Sequence, residues 1–290
     1  MKNVYRVVAV HDISGFGKAS LTAVIPILST MGIQVCPFPT SVLSSITEFP
    51  ETRMIDLTDH LEGMIDHWQK LNLKFKAVYS GFLGSARQVE IVLDLIDRTA
   101  ENDALIVVDP VMGDNGKLYS VFDQSIIDCM QNLITCAQVI TPNITEAAFL
   151  LNEPITSKLD KATIINWLHR LADLNPKIVI ITSVPDYEDE SKICVFAYDK
   201  SKNEYWKMAC HYLPGNFPGT GDIFASIITG CLLKNIPLHE AIETAVIFIL
   251  NAIRFSLDYI KDRRQGIYLE PLLGDLLKPQ TSNKIRKIIP

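Results

Sequence analysis

Apolar residues along this chain fall into two alternating kinds of run: short, continuous, β-branched stretches and longer stretches with helical spacing. Tyr5 to Val10 is the first short run. It ends at His11 and Asp12, and after a glycine-bearing turn an apolar helix is predicted from about Ala19 to Met31. The unit recurs. Ala77 to Phe82 predicts a strand followed by a helix over Ser85 to Ala100, and the strand Leu105 to Asp109 precedes a helix at about 123–134. Ala137 to Thr141 leads into helical residues 147–151, and a helix from Lys161 to Leu174 precedes the strand Lys177 to Thr182. Uninterrupted apolar strands between helices belong to parallel sheets covered on both faces.

Other stretches depart from the unit. Ile33 to Pro37 predicts a short strand, and the hydroxyl-rich Thr40 to Phe49 follows it, with prolines at 37, 39 and 50 that point to an edge, a loop or a flap over a pocket. Leu57, Leu61, Ile65, Trp68 and Leu71 mark one face of a helix over Asp56 to Leu71, with His60 and His67 on its other sides as solvent contacts. Lys192 to Tyr198 and Glu204 to Cys210 predict an antiparallel hairpin at the sheet edge, and the acidic stretch Asp186 to Glu190 before it predicts a solvated surface. Two strongly apolar helices, Asp222 to Lys234 and Leu238 to Leu257, pack against the sheet. The expected fold is a single α/β domain over residues 1–290, with a doubly wound, mostly parallel central sheet flanked by helices and an antiparallel edge hairpin.

Composition narrows the function. Of 290 residues, 48% are hydrophobic and 21% charged, enough to bury a large core, and the net charge of -6 carries no basic stripe. This argues against nucleic acid or anionic membrane as partner and for small molecules. The longest apolar stretch, Ala245 to Ile253, is too short to span a bilayer, and the N-terminal apolar run is too short for a signal peptide. Six cysteines without a Cys-x-x-Cys pair read as reduced thiols in a cytoplasmic protein.

Chemistry concentrates where strands end and helices begin. Gly219-Thr-Gly-Asp222 runs directly into an apolar helix. Glycines there let the backbone approach a ligand, the free N–H groups and dipole of the helix attract an anion, and Asp222 could take a proton from an attacking alcohol. Phosphoryl transfer fits this combination; the plainer alternative is that Asp222 only caps the helix. Asp109 ends a buried strand, as do Thr141 and Thr182, at the sheet end where ligands bind such folds. Asn143 and Glu146 share one side of a helical first turn, an arrangement that suits Mg²⁺ or a capping box. The turn Ser14 to Ser20 is no P-loop, since Asp12 and Ala19 occupy the required glycine and hydroxyl positions, and Ser20 replaces the third glycine of a dinucleotide fingerprint. It reads as a ligand-facing loop or a simple connector. His211 is a possible ligand contact or a surface residue.

Three motifs, Val108-Asp-Pro-Val-Met-Gly-Asp114, Thr141-Pro-Asn-Ile-Thr-Glu146 and Gly219-Thr-Gly-Asp222, stand in order along nearly the whole chain. Together they resemble the ribokinase-like superfamily and, within it, the pyridoxal kinase and hydroxymethylpyrimidine kinase families. The resemblance implies ATP-dependent phosphorylation of the 5'-hydroxymethyl group of a B6 vitamer. It implies that Asp222 is the base and that Gly219, Thr220 and Gly221 form the anion hole. It also implies that Asp109, Asn143 and Glu146 organise Mg²⁺ and phosphates, with Asp109 and Glu146 as metal carboxylates, and that Asp114, Tyr119, Thr141 and Thr182 lie along the nucleotide. A monovalent cation such as K⁺ and a homodimer are further expectations of the resemblance.

At the substrate end, pyridoxal kinases carry a Ser after the first strand, a Ser-Asn-His-Thr flap and a Tyr in the third-strand turn. The corresponding positions here are His11 or Asp12, then Ser45-Ile46-Thr47 without the histidine, then Phe82. The His11-Asp-Ile-Ser-Gly turn is similar to the Ser-Asp-Ser-Ser-Gly turn of hydroxymethylpyrimidine kinases. Asp12, Ser14, Thr47 and Phe82 are therefore the candidate substrate contacts. The alternatives are a hydroxymethylpyrimidine kinase and a protein that binds a vitamer without turning it over.

Overall fold

The structure is a computed structural model that describes residues 4–154, 159–278, 280–282 and 284–289. In chain order its elements are β1 (Arg6–Ser14), α1 (Leu21–Thr30), β2 (Gln34–Leu43), β3 (Met54–Asp56), α2 (Thr58–Lys70), β4 (Phe75–Ser80), α3 (Ala86–Thr99) and β5 (Ala100–Val108). They continue with the small strands β6 (Gly113–Asp114) and β7 (Lys117–Leu118), then α4 (Ser125–Ile134), β8 (Val139–Ile140), α5 (Ile144–Leu151), α6 (Lys161–Asp173) and β9 (Ile178–Pro185). The last elements are β10 (Lys192–Asp199), β11 (Glu204–His211), α7 (Thr220–Leu233), α8 (Leu238–Tyr259), two 3₁₀ segments and β12 (Ile285–Ile288).

One ten-stranded sheet, in the order β12-β11-β10-β9-β8-β5-β4-β1-β2-β3, organises the fold. Its stretch from β2 to β9 is parallel, and β3, β10, β11 and β12 join it antiparallel. Successive side chains of a strand point to opposite faces, so each central strand feeds two cores. Val8, Val10, Val78, Ile106, Val108, Ile140 and Ile181 pack under α2 to α6. Val7, Ala9, Ala77, Tyr79, Val107, Val139 and Ile180 pack under α1, α7 and α8. Burial on both sides is why these strands read as continuous apolar runs. Among the described residues no helix is long and apolar enough to cross a membrane.

Three expectations need correction. The strand expected to end at Pro37 runs on to Leu43 as β2, so Pro39 lies inside it: Pro37 and Pro39 pair with Ala9 and His11 of β1, on a stretch that β3 does not reach, because β3 meets only Ser41 to Leu43. Proline is tolerated where the ladder continues on one side only. The hairpin of β10 and β11 is not the edge, because β12 pairs antiparallel outside β11. Nor is the acidic loop wholly solvated. Asp186 is buried and accepts a 2.7 Å hydrogen bond from the buried Lys207 of β11, whose ammonium also reaches Glu188 at 2.8 Å and lies 4.0 Å from the Tyr187 ring centre. Burial works to lower the Lys207 pKa, but the two carboxylates outweigh it and hold the ammonium protonated. The loop after β9 is thereby pinned to the sheet.

Candidate active site

Because the central strands are parallel, their C-terminal ends deliver His11 and Asp12, Ser80, Asp109, Thr141 and Thr182 to one rim of the sheet. Backbone bonds hold the rim together: the Asp109 amide donates to Ser80 O at 2.9 Å, Thr141 N to Val108 O at 3.2 Å, and Thr182 N to Pro142 O at 2.9 Å. The Thr141 hydroxyl donates to Asp109 Oδ1 at 3.1 Å, which aims that carboxylate across the rim.

Helix α7 arrives opposite. Gly219 is its N-cap, with φ of +84°, and a Cβ there would lie 2.2 Å from the Lys18 carbonyl oxygen, so only glycine fits. A Cβ on Gly221 would be 3.6 Å from Asp109 Oδ2, which places the first turn of the helix against that carboxylate. The helix begins at Thr220, earlier than expected, and Asp222 is not its cap. Instead Asp222 Oδ2 accepts a 2.8 Å hydrogen bond from the amide of Ser20, a residue held at φ +51°. A non-glycine residue in that strained region turns its N–H toward the carboxylate. Burial pushes the Asp222 pKa up to about 7, against the Ser20 N–H, with the charge of Asp12 adding to the rise. A carboxylate so shifted could accept a proton near neutrality.

Glu146 and Asn143 turn out to form a capping box at the start of α5. Asn143 Oδ1 accepts from Glu146 N at 2.9 Å, and Glu146 Oε2 accepts from Asn143 N at 2.8 Å. Glu146 Oε1 takes a further bond from Met112 N at 3.2 Å, and Asn143 Nδ2 donates to Gly113 O at 2.8 Å. Asn143 thus spends both amide atoms on the scaffold, whereas the Glu146 oxygens keep lone pairs. Asn143→Ala should cost about 1 kcal/mol of stability through the lost cap, read from the thermal midpoint.

Burial, then the charge of Asp222, pushes the Asp109 pKa up to about 8, and burial together with Asp109 pushes Glu146 well above its ordinary value. Among the described residues no group of three or more acidic, His or Cys side chains is arranged to hold a metal. Two converging carboxylates whose repulsion is uncompensated, and no complete cage, fit Mg²⁺, which takes its remaining ligands from phosphates and water.

The other candidates divide. Tyr119 overlooks the cluster, since Glu146, Asp114, Asp109 and Asp222 all help burial to raise its pKa. Asp114 is exposed in the small β6–β7 hairpin, and Thr182 bridges Asn143. Asp12 and Ser14 are buried and face each other: Asp12 accepts from Ser14 Oγ at 3.3 Å and from Ser20 Oγ at 2.5 Å, so it braces the loop that supplies the Ser20 amide. Thr47 is exposed in the 44–53 loop, and Phe82 is half-buried with its ring 5.5 Å from Phe122. His60, His67 and His211 are exposed. Reading the sequence missed Ser20 and Tyr79, whose hydroxyl lies 3.5 Å from Asp222 O. Ser20 stood out only as the residue that spoils a dinucleotide fingerprint, and nothing marked Tyr79.

The sequence profile of phosphomethylpyrimidine kinase matches residues 32–265, most of the chain. The chain belongs to this kinase family. Pyridoxal kinase of Arabidopsis thaliana is 29% identical over 259 residues, which cover 87% of this chain and 81% of that protein. A crystal structure of a candidate phosphomethylpyrimidine kinase from Bacteroides thetaiotaomicron, in a form with pyridoxal, is 47% identical with a TM-score of 0.95, covering 99% of this chain and 100% of that one. Pyridoxal kinase from Lactobacillus plantarum gives 30% identity and a TM-score of 0.86 over 95% of this chain and 97% of that one. The fold of this chain is thus that of these two solved structures.

Proposed function

We propose that the protein, as one domain spanning residues 1–290, transfers the γ-phosphoryl group of ATP to the 5'-hydroxymethyl group of pyridoxal, pyridoxamine or pyridoxine. The observation that carries the reaction is Asp222, a near-neutral base at the N-terminal turn of α7, beside Gly219, Thr220 and Gly221. The vitamer hydroxyl oxygen bonds to the γ-phosphorus as its proton passes to Asp222, the bond to the bridging oxygen breaks, and ADP leaves. The amides of the first turn face the transferring group and offset its charge. Asp109 and Glu146 would hold Mg²⁺, which neutralises phosphate charge when bound. Asp114, Tyr119, Thr141 and Thr182 line the nucleotide's path, and K⁺ is proposed as a second cation. Asp12 and Ser14 serve the vitamer indirectly, through the loop, while Thr47 and Phe82 are proposed as its direct contacts.

The vitamer is favoured because the 47% identical structure was obtained with pyridoxal. The second reading, hydroxymethylpyrimidine or its phosphate, is favoured by the Asp12 and Ser14 turn. Assays with ATP and each compound separate them: preferential turnover of the pyrimidine overturns the first, and vitamer binding without turnover under Mg²⁺ and K⁺ points to a carrier. A cytoplasmic location is proposed from six free cysteines. A homodimer is proposed from the outer edge of β2 before Thr40, which no strand among the described residues pairs, and sedimentation as a monomer at micromolar concentration would count against it.

The base predicts a pH dependence. A carboxyl with a raised pKa is ionised only above that pKa, so kcat/KM should fall at least tenfold per unit as pH drops below about 7. A profile flat from pH 5 to 8 would remove Asp222 as the titrating group.

A further inference from the structure

His11 lies within β1 and has no exposed surface, yet neither ring nitrogen has a hydrogen-bond partner. A buried donor left unpaired is costly, and a position shaped only for packing would carry an apolar side chain. Its surroundings are built around the ring. It meets the Tyr79 ring edge-on with centroids 4.5 Å apart, and on another side Gly81 leaves space that a Cβ would occupy 2.4 Å from the His11 Nδ1 and Cε1 atoms. The ring's Nδ1 lies 3.6 Å from Asp222 Oδ1, just beyond hydrogen-bond reach. Burial holds the imidazole neutral, with its pKa lowered to about 3, so the pair is no ion pair and Nδ1 can carry a hydrogen as one tautomer.

We infer that His11 is a positioning residue for Asp222: when substrates bind, the gap closes and Nδ1–H donates to Oδ1, while the Ser20 amide already holds Oδ2. The carboxylate is then fixed from two sides. Each oxygen keeps a lone pair, and the one facing the vitamer accepts the hydroxyl proton in a set direction. Without the second donor the carboxylate is free to rotate about its last bond, and fewer collisions are productive. This inference rests on Asp222 being the base, and it adds a residue that the three motifs do not contain.

The test compares the parent with His11→Leu, which removes the donor, and His11→Asn, whose Nδ2 sits close to where Nδ1 was. With pyridoxal and ATP, His11→Leu should lose about 10- to 100-fold in kcat with both KM values within about twofold. His11→Asn should recover most of that loss. A Leu variant with parental kcat, or an Asn variant as slow as Leu at equal thermal midpoints, overturns the inference. If His11→Leu does not fold, ¹⁵N NMR of the parent decides. With pyridoxal and a non-hydrolysable ATP analogue, an exchange-protected Nδ1–H should appear, and its absence overturns the inference. Failure of the base assignment itself looks different, because Asp222→Asn would then keep turnover.

Discussion

Asp222→Asn should lower kcat by about 10²- to 10⁴-fold, the usual cost of losing a positioned general base. The substitution separates chemistry from architecture. Asp222 does not cap α7, so helix formation does not depend on its charge, and the amide oxygen of Asn can still accept from Ser20 N. Stability should therefore change by about 1 kcal/mol or less. ATP binding should persist, since the first-turn amides and the Asp109 and Glu146 carboxylates are untouched. Steady-state turnover, nucleotide affinity by calorimetry and a thermal melt together read the result. A folded variant keeping more than about a tenth of parental kcat would leave the proton without an acceptor and the proposed reaction without its base.

Lys207→Met should destabilise the fold by about 3–5 kcal/mol, because it strands the buried Asp186 carboxylate without its partner. The loss should not reflect Glu188, which is largely exposed and can return to water. Replacing both partners, as Lys207→Met with Asp186→Leu, should recover much of the loss, since an apolar pair avoids the unpaired charge. Denaturant midpoints of the two single variants and the double variant decide. Additive losses would show that the two residues act independently, and an unchanged midpoint in Lys207→Met would show that the loop after β9 is held by other contacts.

What was legible in the sequence follows from what is local. Strands buried on both faces show as unbroken apolar runs, so β1, β4, β5 and β9 could be placed, and with them Asp109 just past the end of β5, whereas β9 runs on to Pro185 and keeps Thr182 inside it. Gly219 announced a close backbone approach because no other residue meets that steric demand, whereas a Cβ at Gly221 would find an ordinary contact distance. Non-local facts were not legible. Ile285 to Ile288 has too few residues to declare a strand, and its partner β11 lies far back along the chain. Lys207 and Asp186 are 21 residues apart on different elements, and the acidic run between them looked like any solvated loop. The spacing of Asn143 and Glu146 left a cap and a metal site open, and the cap is realised without removing the lone pairs a metal needs. His11 gave no sign of its burial, since a polar residue after a strand reads as the start of a loop.

The bond from the Ser20 amide to Asp222 joins positions 202 residues apart. At a synthesis rate of roughly 5–20 residues per second, about 10 to 40 seconds separate the appearance of that amide from the appearance of its carboxylate. Through this interval the Ser20 amide has no carboxylate to meet, although the Asp12 bond to its hydroxyl can already hold the turn, and β1 must find β2 and β4 before either wall of the reaction centre exists. A nascent chain arrested before α7 can therefore own most of its sheet and still be chemically inert, so catalytic competence should arrive on the ribosome as a late and abrupt event.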